Sequence, residues 1–375
     1  MIETITDAAG FARLRGEWTA LHHRSGSRNF FLTWEWLHTW WKHLAQRRRL
    51  MILTVRETDN RLIAIAPLCI RPAVPARLIP FRAVELLGTG TVGSDYLDLI
   101  IERGRESEAI PQIARHLQSL RLPLELRQLR HEGCSALALA ERMAARGWRT
   151  ATARANTCPY IRLAGLDWRG YLATLGAAHR ANFHRRLRNL QRIAVVRFDV
   201  VRTDQERREA LDRLIALHNE RWRERGGSDA FHRPEVIAFH HELTAQALRD
   251  GSLRLLVLRV GPTPVAYFYG FRHGEVFSFY QSGFDPAWSG QSVGLVAMGL
   301  AIHAALAEGA AEFDLLHGAE SYKYLWARAD RPIVRAELHP PLLRGWITSG
   351  ASELGRLARA TGRVLLRAPG GGPLA

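Results

Sequence analysis

Residues 253–326 constrain this chain more than any other stretch. Two apolar runs, Arg254–Val260 and Val265–Arg272, flank a Gly-Pro-Thr turn, and a third, Glu275–Gly283, follows at once. Their length and their β-branched and aromatic content read as three strands. The third runs into Phe284-Asp-Pro-Ala-Trp-Ser-Gly-Gln-Ser-Val-Gly294, a loop of mostly small residues that opens a helix running from Gly294 to Glu308. A strand over Glu312–Leu316 and a closing segment, Gly318-Ala-Glu-Ser-Tyr-Lys-Tyr-Leu-Trp326, complete the stretch. The first N–H groups of such a helix have no intrahelical partner and lie at the positive end of its dipole. The loop is therefore a seat for a phosphate or pyrophosphate.

The same design occurs earlier. Arg49–Ile70 is a hairpin, with apolar runs on either side of Thr58-Asp59-Asn60, and it compares with the hairpin over Leu253–Phe271. Each hairpin follows two helical segments and precedes further strands and a helix. This internal repeat, in a chain of 375 residues, predicts two similar α/β units in tandem. The units are expected over residues 1–164 and 165–340, with a basic tail over 341–375. Each is expected to be a mixed, mostly antiparallel sheet flanked by helices.

In the first unit, residues 8–24 read as one helix, with Phe11, Leu14, Trp18 and Leu21 at helical spacing. In the next helical run Phe30, Trp34, Leu37, Trp41 and Leu44 share a face, and this spacing assigns them to the core. Trp36 and Trp40 lie off that face and are candidates to line a cleft. The Gly-rich turn within Glu85–Ile101 does not open a helix, so no pyrophosphate seat is expected there. Asp95 in that turn has two readings, a cleft carboxylate or a turn residue bonded to nearby backbone. A helix (Arg105–Leu120), a strand (Leu124–Leu129), a helix (Ser135–Arg146) and strands around Arg149–Leu163 complete the unit.

The second unit begins with a basic helix over 168–192, in which Arg180, His184 and Arg188 share one face. Its charge suits an anionic acceptor or RNA, and a solvated face packed through its leucines explains it equally. Helices at Gln205–Glu224 and Pro234–Arg249 follow, joined by Arg225-Gly-Gly-Ser-Asp.

Several of these motifs point to one family. Gln291-x-x-Gly294-x-Val296 resembles the Gln/Arg-x-x-Gly-x-Gly/Ala pyrophosphate loop of GNAT acyltransferases, with Val296 where that pattern has a small residue. Gly318-x-x-x-Tyr322-Lys323 resembles a segment of Fem-type transferases, which are built from two GNAT-like domains. His179-Arg180-x-Asn182-x-x-Arg185-Arg186 is similar to a segment of the acetyltransferases grouped with the cellulose-biosynthesis CelD proteins. That group is the one the chain most resembles, over most of residues 1–335. The resemblance implies a tandem GNAT protein whose first unit is degenerate and whose second binds acetyl-CoA or another acyl-CoA as co-substrate. It implies acyl transfer to an amine or hydroxyl of a small-molecule or sugar-linked acceptor, in polysaccharide or cell-envelope metabolism. Fem-type transfer from aminoacyl-tRNA and a non-catalytic binding module are the rival readings.

On this reading Gly290, Gln291, Ser292, Val293 and Gly294 hold the CoA pyrophosphate. Proton transfer needs a group with a shifted pKa within hydrogen-bond reach. Tyr280, Asp285, His317 and Lys323 are the catalytic candidates, with Asp314 a further titratable group nearby. Arg180, Arg185, Glu320 and Asp95 are candidates for binding the acceptor. Glu320 and Lys323, three apart, also read as a surface ion pair.

Composition bears on partners. Lys+Arg 52 against Asp+Glu 36 gives a net charge of +16, which favours anionic partners. Nucleic acid enters only with the tRNA alternative. The basic stretch over Leu342–Arg367 suggests contact with an anionic membrane, or a frayed terminal helix. Cys69, Cys134 and Cys158 are too few and too scattered for a disulfide framework or a zinc site, and no other metal spacing occurs. The acidic start lacks a signal peptide's apolar core, and no apolar run is long enough to span a bilayer, so a cytoplasmic, reduced protein is expected.

Overall fold

Two hairpin-centred units merge into one sheet. The computed structural model describes residues 1–73, 82–90, 92–223 and 231–341. The first unit runs β1 (Ile2–Ile5), α1 (Ala8–Arg13), α2 (Arg15–Ser25), α3 (Trp34–Leu44), β2 (Arg49–Arg56), β3 (Leu62–Arg71), β4 (Ala83–Leu86), β5 (Ile100–Ile101), α4 (Glu106–Leu120), β6 (Leu124–Arg130), α5 (Ser135–Ala144) and β7 (Arg149–Arg162). The second runs α6 (Trp168–Thr174), α7 (Ala177–Ile193), β8 (Val196–Val200), α8 (Asp204–Arg223), α9 (Pro234–Arg249), β9 (Leu253–Val260), β10 (Thr263–His273), β11 (Val276–Phe284), α10 (Val293–Ala307), β12 (Glu312–Asp314) and β13 (Ala329–His339).

The sheet order is β1-β2-β3-β4-β6-β13-β7-β12-β11-β10-β9-β8, with β5 on β3. Among the described residues its ladders are antiparallel except β4–β6 and β11–β12. The fold is thus α/β with a mixed, mostly antiparallel sheet flanked by helices. The two units are interlocked. The last strand, β13, inserts between β6 and β7, and β7 in turn pairs with β12 of the second unit.

Aromatic side chains fill the seam between the units. Phe30 stacks on Phe271 with centroids 4.0 Å apart, and Trp36 meets Phe239 edge-on at 5.2 Å. The expectation that Trp36 and Trp40 line a cleft is corrected, since they are 0% and 1% exposed. A 3-10 turn over Phe30–Leu32 precedes α3, and Thr33 caps it through the Trp36 N–H. Helix α3 is buried on more than the expected face: Trp34, Leu37 and Leu44 are buried as expected, Trp41 is half-buried, and Trp36 and Trp40 are buried as well, Trp36 against Phe239 of α9.

Two expected helices are also broken. The first splits at Leu14, where Asp7 caps a short α1 and α2 restarts at Arg15. The basic helix splits at Leu175–Gly176, where Leu175 adopts an extended backbone. The expected strands around 149–163 are one strand, β7. The linker after Arg225 and the stretch from Leu342 onward, with its expected membrane contact, lie outside the described residues.

Candidate active site

The parallel ladder between β11 and β12 is short. Val276–Ser278 pairs with Glu312–Asp314, and beyond these residues the strands separate. Two local features part them. On β11, Tyr269 of β10 faces Gln281 while Gly270 faces Phe279, so Tyr280 is bulged out of register. A Cβ on Gly270 would run into the Ser278 carbonyl, so the close approach requires glycine. On β12 the chain reverses at Leu316, which is left-handed at φ 56° and donates its N–H to Asp314 Oδ1 at 2.8 Å. The strand therefore ends two residues before the expected Leu316. A cavity of about 200 Å³ opens between the parted strands, lined among others by Phe279, Tyr280, Gln281, His317, Glu320 and Lys323.

His317 stands in this cavity, its side chain 43% exposed, and is held by a residue of the other unit. Asp95, fully buried, accepts from the His317 N–H at 2.9 Å and lies 2.9 and 3.0 Å from His317 Nδ1. The reading of Asp95 as a turn residue bonded to nearby backbone is corrected, because its carboxylate bonds across the seam. Its loop is anchored on both sides. Asn29 donates to the Asp95 and Tyr96 carbonyls at 3.1 and 2.7 Å, and buried Trp36 donates to Ser94 Oγ at 2.9 Å. Gly93, at φ 63°, passes the imidazole so closely that a Cβ would lie 3.1 Å from His317 Cε1.

The Asp95 carboxylate, first by its hydrogen bond and then by its charge, raises the His317 pKa against the opposing effect of burial. With Nδ1–H given to Asp95, Nε2 is the ring's free basic atom. Lys323 fixes the backbone beneath it. Its ammonium donates to the His317 carbonyl at 2.7 Å and the Leu316 carbonyl at 3.3 Å, and pairs with Glu320 at 3.1 Å. Lys323 is 4% exposed, so its contact with Glu320 is not a surface ion pair. Tyr280 gives its hydroxyl proton to the Val92 carbonyl. Burial, with the Asp95 charge adding, raises its pKa and keeps that proton in place.

The loop after β11 begins with a 3-10 turn over Pro286–Gln291. Asp285 caps it, accepting from the Ala287 N–H at 3.0 Å, and faces Arg213 at 3.5 Å. Asp285 is therefore outside the cavity, contrary to the expectation that it points there with Tyr280. Ser292 is left-handed at φ 56°, and α10 starts at Val293 with no side-chain cap. The N–H groups of Val293 and Gly294 thus open the helix without intrahelical partners. A Cβ on Gly290 would meet nothing within 4 Å, so the loop is open there. Arg186 of α7 donates to the Gly290 carbonyl at 3.0 Å, and its Nε is buried without a partner. A bare helix start, an open glycine and an unsatisfied guanidinium nitrogen together fit a phosphate group.

The acceptor candidates are scattered. Arg180 folds back to the Leu172 carbonyl at 3.2 Å, and Arg185 bonds Asn182 on its own helix at 2.8 Å. Glu320 and Asp95 reach the cavity through Lys323 and His317.

Sequence reasoning quoted Arg186 within the basic motif but did not assign it to the phosphate seat, because it is off the charged face that drew notice. It also missed the surroundings of Asp314. Tyr96 donates to Asp314 at 2.8 Å and Arg331 lies 3.4 Å away, over the Tyr160 ring. Burial and the Glu312 charge lift the Asp314 pKa to about 7. Its alternation between Phe313 and Leu315 was the only available signal.

Among the described residues no cluster of three or more His, Cys, Asp or Glu is arranged to hold a metal, and no helix is long and apolar enough to cross a membrane.

Comparison with known proteins bears on the fold. Residues 177–324 match the family described as "Acetyltransferase (GNAT) domain". No curated protein matches the chain. Among solved structures, FemX aligns at 10% identity and a TM-score of 0.59, over 90% of this chain and 96% of its own. A conserved protein of unknown function from Bacteroides thetaiotaomicron aligns at 13% identity and 0.56, over 90% and 100%. The C-terminal domain of a lysylphosphatidylglycerol synthetase from Agrobacterium fabrum, itself described with reserve, aligns at 11% and 0.54, over 92% and 95%. At such identities these likenesses speak for the fold alone.

Proposed function

We propose, from the match of residues 177–324 to the GNAT acetyltransferase domain family, that the protein transfers an acyl group, acetyl in the simplest case, from acyl-CoA to an amine or hydroxyl, with His317 as general base. The observation that carries this reading is the Asp95–His317 pair in the cavity where β11 and β12 part. Asp95 orients the imidazole, as a carboxylate does in other nucleophile-activating arrays, and stabilises the imidazolium once formed. The Gly290–Gly294 loop and Arg186 bind the pyrophosphate, which leaves the thioester carbonyl to be reached from the cavity. His317 Nε2 takes the proton from the acceptor as its nitrogen or oxygen attacks that carbonyl, and the C–S bond breaks to release CoA thiolate. Lys323 holds the backbone of His317, and Tyr280 fixes the Val92 loop opposite. The acceptor is a small-molecule or sugar-linked amine or alcohol, and polysaccharide or envelope metabolism follows only from the sequence resemblance.

The test is thiol release from acetyl-CoA with a panel of amines and amino sugars. His317→Gln is expected to lower kcat about 10²–10⁴-fold while calorimetric acetyl-CoA affinity stays unchanged. Asp95→Asn is expected to move the acidic limb of the pH–rate profile to lower pH, because the imidazole loses the partner that raises its pKa. Full activity in His317→Gln would remove this mechanism. A second reading, aminoacyl transfer of the Fem type, is favoured by the likeness to FemX over nearly the whole chain. A thermal-shift screen with CoA, acetyl-CoA and tRNA separates the two, and no response to any of them would favour a non-catalytic binding module.

A further inference from the structure

Residues 168–198 contain seven arginines and no aspartate or glutamate. Helix α7 is held with a fixed roll, because Phe183 and Leu190 are buried against the second unit at 1% and 0% exposure. Arg185, Arg188 and Arg192, spaced three and four apart, therefore form an exposed stripe on the opposite side. The stripe ends in two aliphatic side chains turned to solvent, Ile193 at 54% and Val195 at 73% exposure. The link carrying them is anchored, since the Val195 carbonyl accepts from the Gly261 N–H at 2.8 Å. The nearest acid along the chain, Asp199, faces Arg197 and Arg259 at 3.7 and 3.6 Å and leaves the stripe uncompensated.

We propose that this face of α7 and the α7–β8 link docks the protein on an anionic phospholipid surface. The arginines supply the attraction and Ile193 and Val195 enter the boundary between headgroups and acyl chains. A basic stripe alone suits any polyanion. The two aliphatic side chains decide for lipid, because RNA phosphates offer them nothing, whereas a bilayer takes basic and apolar groups side by side. The chain's own residues 342–375 are a poor occupant, since they carry five arginines and one glutamate, the same sign as the stripe. The proposal does not depend on the acyltransferase reading.

The test uses the full chain and co-sedimentation with phosphatidylcholine vesicles, with and without about 30% phosphatidylglycerol, at about 50 and 300 mM salt, where the screening length differs about 2.4-fold. Wild type is expected to bind the anionic vesicles and not the neutral ones. Arg185→Gln/Arg188→Gln/Arg192→Gln is expected to lower the partition coefficient about a hundredfold, roughly fivefold per arginine. Ile193→Ser/Val195→Ser is expected to lower it about tenfold, with the loss persisting at the higher salt. All five positions are at the surface, and circular dichroism checks that the variants fold. Wild type that ignores anionic vesicles overturns the proposal, as does a triple variant that binds them undiminished. An unchanged Ile193→Ser/Val195→Ser variant overturns the choice of lipid. Loss of tRNA binding in the triple variant, with vesicle binding intact, assigns the stripe to RNA instead.

Discussion

The seam between the two units should be sensitive to acid at one place. His22 of α2 stacks on His273 at the end of β10, centroids 4.9 Å apart and rings 22° from parallel. Around them lie His23, Trp18, Trp34, Asp250, Arg254 and Arg272. Burial, then the neighbouring histidines, pushes His22 down to about 3. Burial, then His23, pushes His273 down to about 4, with Asp250 opposing. Both rings are therefore neutral in the folded protein, whereas in the unfolded chain each takes up a proton near pH 6.5. The sign follows. Stability is undiminished above about pH 6.5 and falls as the pH drops from there toward 4, because only the unfolded state gains protons. Between about pH 7.5 and pH 5 each ring removes roughly 2 kcal/mol, about 4 kcal/mol for the pair. Other groups titrate in the same window. Buried His240, held near 3, acts in the same direction, while buried Asp98 and Asp314, lifted to about 6 and 7, act against it. A difference measurement removes them. His22→Phe/His273→Phe keeps the stack apolar, and His22 Nε2 has no partner to lose. Urea unfolding of wild type and the double variant at both pH values gives two pH-dependent losses of stability. The wild-type loss should exceed the variant's by about 4 kcal/mol. Equal losses would refute the claim that the stacked pair is buried neutral.

Three further outcomes test other parts of the structure. Gly299 of α10 lies so close to Phe183 of α7 that an added Cβ would strike the ring, so Gly299→Ala should lower stability by about 1–3 kcal/mol in urea unfolding, with partial rescue by Phe183→Leu. Gly290→Glu adds a carboxylate where the loop is open, so the fold should persist while the CoA-induced stabilisation disappears; at about 100 times Kd that is roughly 2.7 kcal/mol in wild type, and a retained thermal shift would place the pyrophosphate elsewhere. Lys323→Met strands the buried carbonyls of Leu316 and His317, which should cost about 1–3 kcal/mol and lower kcat more than it changes KM.

Much of the second unit was legible because local chemistry decided it. Pro234 at the first helical position marks the start of α9, and the bounds read from the chain, Pro234–Arg249, are those observed. The strands β9, β10 and β11 follow from alternation and turn residues. The face assigned to the core by periodicity is buried, but Trp36 was misplaced because α3 is covered on a second side by Phe239 and Phe271 of the other unit, which a helix's own periodicity does not show. His317 and Asp95 were each noticed, but 222 positions separate them. Nothing local to either residue announces that a turn in the first unit closes on a strand end in the second. Lys323 looked like a surface residue because its partner Glu320 is one. Its own burial depends on the carbonyls exposed by the left-handed turn at Leu316, which only the folded backbone reveals.

The interlocking of β7 and β13 has a consequence for how the chain is made. During synthesis β7 emerges early, yet both its neighbours in the sheet, β12 and β13, begin only at Glu312 and Ala329. Until then the first unit has β6 and β7 with the place between them empty and their main-chain groups unpaired. Neither unit can close its sheet alone on the ribosome, and the first must wait for the last strand of the second. A nascent chain stalled within α10 would carry unpaired strand edges on β6, on β11 and on both sides of β7, the kind of species prone to bind a chaperone or another copy of itself.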